Sequence, residues 1–436
     1  MPFHIAATRS ERLTRMGRLA IGILLIVVLE GGVRKWLASS ATLPLILLRD
    51  AMAAYGIFYA VSRGACRRQG AVTTILLLWT ACVVGWGLLQ LMLDQSNWGT
   101  YLIGLRFWLL YIWFGFAAAC AMSEHDYKAA TRVALGLLLV LVPLVALQYA
   151  SAPGAFINRQ VDGDESDIFL LVAGIVRPAA TFSFTAGYVT FLAFIAPLVL
   201  SLVHLKKRNL RQLVFTLLVF MAFVVGSLMS GSRFAIISSA AMVALYVAST
   251  IIFTRGAKRA RTLFVALVSV LLLVLVTFAL KDVVSATQQR FEAAAEAEDF
   301  ASRVLSMFIG EENIYAQFNW LGYGIGKGSN LASFFAQGQR TFVLAETETG
   351  RTLLEGGLLG YAFVALKMFL GSAALLKALS IARGRAAILP ILMWASLLFA
   401  ALTWSATGQL TVNAMFGLLL AFGLLSLRFP ETRPLR

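Results

Sequence analysis

Apolar residues come in runs of membrane length along most of this chain. A helix rising 1.5 Å per residue needs about 20 of them to cross roughly 30 Å of hydrocarbon. Twelve runs meet that length: Leu19–Leu37, Leu43–Val61, Val72–Leu93, Tyr101–Ala121, Val133–Ala150, Phe184–Val203, Leu213–Met229, Phe234–Phe253, Thr262–Leu280, Thr352–Leu376, Ala387–Trp404 and Leu410–Leu427. The pattern predicts an all-α integral membrane protein of about 12 transmembrane helices. It breaks between runs nine and ten, where Lys281 to Gly350 forms the one long polar stretch. No Pro-rich or Ser-rich linker divides the chain, so residues 1–436 read as a single polytopic domain with two excursions, 151–183 and 281–350.

Composition agrees: 60% of residues are hydrophobic and 13% charged, against about a quarter charged in soluble domains. The net charge of +16 would suit nucleic acid, but its distribution excludes that partner. Cations gather in alternate short loops, from Arg9–Arg18 and Arg63–Arg68 to Arg383–Arg385 and Arg428–Arg436, and these loops hold 23 of the 37 Lys and Arg. The positive-inside rule makes them cytoplasmic, with both termini inside and both polar excursions outside. The first run has no small-residue cleavage site behind it and reads as a retained helix. Cys66, Cys82 and Cys120 all fall outside the outward loops, so no structural disulfide is expected.

Ionisable residues in apolar spans cost about 3 kcal/mol each on insertion scales and mark candidate sites. Glu30, Arg34, Lys35, Arg49 and Asp50 lie in the outer parts of spans one and two, where Glu30 or Asp50 pairing with Arg34 or Arg49 is the structural expectation. Arg106 in span four has no acidic neighbour in sequence and is a ligand candidate. Ser230-Gly-Ser-Arg233 forms a tight outward hinge, and Arg177 stands where the first excursion re-enters the membrane. Arg290, Arg303, Arg340 and Arg351 add outward cations. Arginines converging on one mouth suit a phosphate-bearing ligand, because the planar guanidinium binds phosphate oxygens bidentately.

The long excursion opens with Val283–Phe308, read as a helix over the mouth, and continues into the glycine-rich Leu321–Asn330. That segment lacks the Gly-Lys-Ser/Thr order of a Walker loop and reads as a flexible turn. Glu346, Glu348, Arg351 and Glu355 follow at the entry to span ten. Helical spacing places Glu348, Arg351 and Glu355 on one face. A carboxylate here is a candidate base for a sugar hydroxyl, and Glu346 stands clear of a salt bridge to Arg351. The acidic run Asp162–Asp167 lacks the glycine and distal glutamate of an EF-hand loop and reads as solvated. His4, His125 and His204 all map to the cytoplasmic side, which leaves no outward histidine site, metal or catalytic.

Several short pieces, in order along the chain, resemble the bacterial O-antigen ligase and O-antigen polymerase superfamily. Gly231-Ser-Arg233 is similar to its Ser-Arg hinge, Arg303 to its loop arginine before an aromatic, and Gly322-Tyr-Gly-Ile-Gly326 to its Gly-x-Gly turn. Ala345–Gly360 is similar to its Ala-His-Asn-x-x-Leu-x-x-Leu-x-Glu-x-Gly-Leu-Leu-Gly motif, with Glu346 at the histidine position. The resemblance implies a GT-C type enzyme of the bacterial inner membrane with its site facing the periplasm. Such an enzyme takes a glycan from an undecaprenyl-pyrophosphate carrier and joins it to an acceptor hydroxyl, without metal or other cofactor. In that reading Arg177, Arg233, Arg303, Arg351 and Arg106 hold the donor. Glu346 is the base, with Glu348 as the competing assignment. The exchange of histidine for glutamate points toward a polysaccharide polymerase and away from a ligase acting on lipid A, with other polysaccharide-export proteins as possible partners. The rival class is a secondary transporter or lipid-linked-glycan flippase. Against it, Ser62–Gly70 lacks the Asp-Arg-x-Gly-Arg-Arg pattern of major facilitator proteins. A third class is a non-catalytic subunit of an export complex.

Overall fold

A computed structural model describes residues 12–159, 161, 171–172, 175–204, 209–256, 259–260, 263–264, 267, 300–332 and 345–431. Ten helices among them are long and apolar enough to cross a membrane, so the protein is membrane-embedded. In chain order they are α1 (Arg15–Gly32, continued by a π turn at Val33–Leu37), α2 (Thr42–Ser62), α3 (Gly70–Met92), α4 and α5 (Trp98–Leu105 and Tyr111–Ala121, joined by a π turn at Arg106–Leu110), α6 (Glu124–Ala150), α7 (Thr185–His204), α8 (Leu210–Met229) and α9 (Arg233–Phe253). After the long excursion come α13 (Leu358–Arg385), the shorter apolar α14 (Leu389–Thr403) and α15 (Leu410–Arg428). The ninth expected span, Thr262–Leu280, lies outside the described residues.

The tenth span departs from its sequence reading. The apolar run from Thr352 is interrupted at Gly357, whose φ of 57° and ψ of −124° no helix allows. A separate short helix, α12 (Glu348–Gly356), stands before the break, and the span begins at Leu358. Glycine is required here, since a Cβ on Gly357 would lie 2.2 Å from the Trp320 carbonyl oxygen. Two further helices, α10 (Phe300–Ile309) and α11 (Glu312–Ala316), belong to the long excursion. The first excursion contributes one antiparallel pair, β1 (Leu171–Val172) against β2 (Ile175–Val176).

Helix α7 is the central element, with 89% of its apolar window buried inside the protein. Around it the helices approach through small residues: Gly115 of α5 lies against Gly417 of α15, where a Cβ would meet the Gly417 carbonyl at 2.6 Å. One face of the bundle is tied by Thr14 donating to Asp126 and by Arg428 donating to the Ala119 and Met122 carbonyls. This is the cation-rich face that the charge pattern assigns to the cytoplasm. The ends of α1, α3, α6, α8 and α14 and the starts of α2, α4, α7, α9, α13 and α15 lie on the opposite face, which the charge pattern assigns to the outside.

Candidate active site

Helix α12 is the platform of this second face. Thr347 caps it, accepting the Gly350 amide at 3.0 Å and donating its hydroxyl to Glu311 at 3.0 Å. Glu346 precedes the cap and is exposed, where the positive end of the helix favours an anion. Glu348 is buried instead. Its carboxylate accepts the Thr407 amide at 3.1 Å and the Thr407 hydroxyl at 3.0 Å, with Lys367 3.8 Å and Arg351 3.9 Å away. Burial pushes the Glu348 carboxyl up, against the pull of Lys367, Arg351 and Thr407. The two glutamates therefore separate by environment: Glu346 meets solvent, and Glu348 fastens α12 to the turn after α14.

Arg351 is built into the same turn. It donates to the Ser405 hydroxyl and, at 3.2 Å, to the Ala345 carbonyl, while its Nε is buried without a hydrogen-bond partner. Gly408 makes room for it, because a Cβ there would lie 2.3 Å from an Arg351 nitrogen.

Glu355 at the far end of α12 explains the glycine-rich segment. Its carboxylate accepts Trp108 Nε1 at 3.0 Å, the Gly326 amide at 3.0 Å and the Gly328 amide at 2.8 Å. Gln90 of α3 holds the same segment, donating to the Leu321 and Glu355 carbonyls and accepting the Ile325 amide. The expectation of a flexible turn is corrected: Ile325 is fully buried beside Trp79, Val83, Tyr101 and Trp108, and the turn is pinned into the bundle. Gly322, Gly324 and Gly326 all take positive φ, which the sharp path requires. Burial pushes the Glu355 carboxyl up to about 7, opposed by the Trp108 and amide donors.

Arg177 and Arg233 come together from segments far apart in sequence. The loop after Arg177 is fixed at Ala180, whose amide donates to Gln148 at 2.8 Å and whose carbonyl accepts Lys35 Nζ at 2.7 Å. Arg34 reaches the Ser183 hydroxyl at 3.0 Å. Arg233 opens α9 behind Gly231, at φ 61°, with Ser232 as cap. Burial and the Arg233 charge lower the Arg177 pKa, and Arg177 Nε is without a hydrogen-bond partner. Next to Arg233, Phe234 stacks on Phe399 of α14 with centroids 5.2 Å apart. Helix α14 ends four residues beyond Phe399, at Thr403, and the turn that carries Ser405 and Thr407 follows it. The arginine pair and the α12 platform thus flank one helix end.

Arg106 belongs elsewhere. Its guanidinium holds Asp50 through two nitrogens, at 2.8 and 3.1 Å, and reaches Asn413. The pair continues through Tyr111 to Asp50 and through Arg49 to Glu30, which also accepts Thr411. Of the pairings considered for the first two spans, Glu30 with Arg49 forms at 2.8 Å and Asp50 with Arg49 at 3.5 Å. This network ties α1, α2, the π turn and α15 together and gives Arg106 the structural partner, Asp50, that its sequence neighbours do not supply.

The Arg303 side chain, Arg290, Arg340 and Asp162–Asp167 lie outside the described residues. Gln90, Thr407 and Lys367 were missed as site-building residues, and Glu355 was placed on the α12 face without its role in holding the glycine-rich turn. Gln90 and Lys367 carried a signal, being polar groups inside apolar runs. No family model matches this chain, and no curated protein matches it.

Proposed function

We propose that the protein transfers an oligosaccharide from a polyprenyl-pyrophosphate carrier to a glycan acceptor hydroxyl at the periplasmic face of the inner membrane, as a polymerase of exported polysaccharide. The observation that carries this reading is the juxtaposition of Arg177 and Arg233. Two neighbouring guanidiniums offer planar donors at one place, and a pyrophosphate supplies oxygens for both. Arg351 adds positive field from beneath α12, and Arg303 stands in the adjoining α10. Glu346, exposed at the mouth of the same platform, takes the proton from the attacking acceptor hydroxyl. As the acceptor oxygen bonds to the sugar C1, the bond from C1 to the phosphate oxygen breaks, and polyprenyl pyrophosphate leaves with one further negative charge, a trianion held by the arginines. Glu348 positions Arg351 and the Ser405–Gly408 turn and does not reach the acceptor.

The test is purified protein in lipid with a radiolabelled polyprenyl-pyrophosphate oligosaccharide. Release of polyprenyl pyrophosphate with a lengthened glycan, lost in Glu346→Gln, supports transfer. Passage of the intact donor across the bilayer would assign the protein to the transporters.

A further inference from the structure

Helix α10 (Phe300–Ile309) leaves an apolar face uncovered. Leu305, Phe308 and Ile309, at helical spacing i, i+3 and i+4, are 55%, 44% and 43% exposed. The other side of α10 is spoken for: the Met307 carbonyl accepts the Thr349 hydroxyl, and Gly310 packs on Gly350 of α12. From the uncovered face a series of aromatic contacts leads to α13. Tyr315 donates its hydroxyl to the Ile309 carbonyl and also hydrogen-bonds Tyr361. Phe318 packs edge-on against both Trp320 and Tyr361. Tyr361 lies in the first turn of the membrane-crossing α13, whose own outer surface includes Phe369, 71% exposed.

We propose that α10 is an interfacial helix seated in the outer leaflet, its Leu305, Phe308 and Ile309 face buried among acyl chains. Continuity with the lipid-facing side of α13 identifies the occupant as bilayer lipid, and aromatic residues such as Trp320 and Tyr315 belong at that depth. The seat has a consequence that rests on the transfer reading. The α10 and α12 pair then forms the lip over which a lipid-linked donor slides sideways from the leaflet to the arginines, with its tail never leaving hydrocarbon.

The experiment uses the full chain, with Cys66, Cys82 and Cys120 replaced by serine, in nanodiscs of phosphatidylethanolamine and phosphatidylglycerol. Nitroxides are attached at Leu305→Cys, at Phe308→Cys and, as a water-facing control, at Glu312→Cys. Labels at 305 and 308 are expected to be accessible to oxygen and shielded from aqueous nickel chelate, at depths of about 5–10 Å into the headgroup and acyl boundary. Nickel access equal to that at 312 would overturn the proposal, and so would shielding from both reagents, which would mean that protein or a second copy covers the face. A paired variant, Leu305→Asp with Phe308→Asp, separates the two readings. Slower turnover of a long-chain donor with turnover of a short-chain, water-soluble donor unchanged supports the lip. Membrane depth without any turnover in the parent protein leaves the interfacial helix standing and removes the transfer reading.

Discussion

Glu348 accepts both the amide and the hydroxyl of Thr407, 59 residues further along the chain. That double contact occupies Glu348 and makes Glu346 the base in the proposed transfer. Glu346→Gln is therefore expected to lower the transfer rate by about 10²–10⁴-fold with unchanged membrane levels, the usual contribution of a general base. Glu348→Gln keeps Thr407 partly bound and should act mainly on donor KM through Arg351. Steady-state rates over a range of donor concentrations distinguish the two, and equal loss of kcat in both variants would contradict the assignment.

The Arg177 and Arg233 pair makes a second prediction. Arg177→Ala or Arg233→Ala should each remove charged hydrogen bonds worth about 1.5–3 kcal/mol, a rise of roughly 10- to 100-fold in donor KM. Lysine at either position should rescue only in part, because an ammonium cannot grip phosphate bidentately. Donor binding followed by isothermal calorimetry checks this.

Glu355 predicts a pH dependence of stability. Its carboxyl is raised from 4.5 to about 7 by burial. The folded protein thus holds this proton more tightly than the unfolded chain. Its contribution is largest below pH 4.5, falls as pH rises from 4.5 to about 7, and is lost above that. Thermal unfolding in detergent over this window should show the decline, and Glu355→Gln should flatten it. Glu355→Ala leaves the Trp108, Gly326 and Gly328 donors without their acceptor, each at a cost of about 1–3 kcal/mol. It should open the 322–328 turn to proteolysis.

Gly408→Ala tests the placement of Arg351 without touching a charge. The new methyl would displace a guanidinium nitrogen now 2.3 Å from its position. Since the displaced group is the far end of a flexible side chain, the fold should persist, with a higher donor KM and little change in melting temperature.

The membrane helices were legible in the sequence because burial in lipid demands long apolar runs, whatever the partners. Ten of the twelve expected spans correspond to helices of crossing length. The break at Gly357 was not legible, since Leu353-Leu-Glu-Gly-Gly-Leu-Leu359 is apolar on both sides and only the approach of the Trp320 carbonyl explains the second glycine. Glu30 with Arg49 is one of the intramembrane pairings expected from cost alone, and the Asp50 partner of Arg106 was not legible, because it lies 56 residues away on another helix. Within the candidate site, residue types and order were readable. What the sequence withheld was which carboxylate is buried, because that depends on Thr407 and Lys367, two elements downstream.

The most direct test of transfer by this site is the fate of a doubly labelled donor, with its lipid and glycan marked separately, on purified protein in nanodiscs with acceptor present. Separation of the labels, with the glycan appearing on longer chains and Glu346→Gln abolishing the separation, is the result predicted. Labels that stay together in the parent protein, with acceptor and donor both shown to be bound, would contradict it.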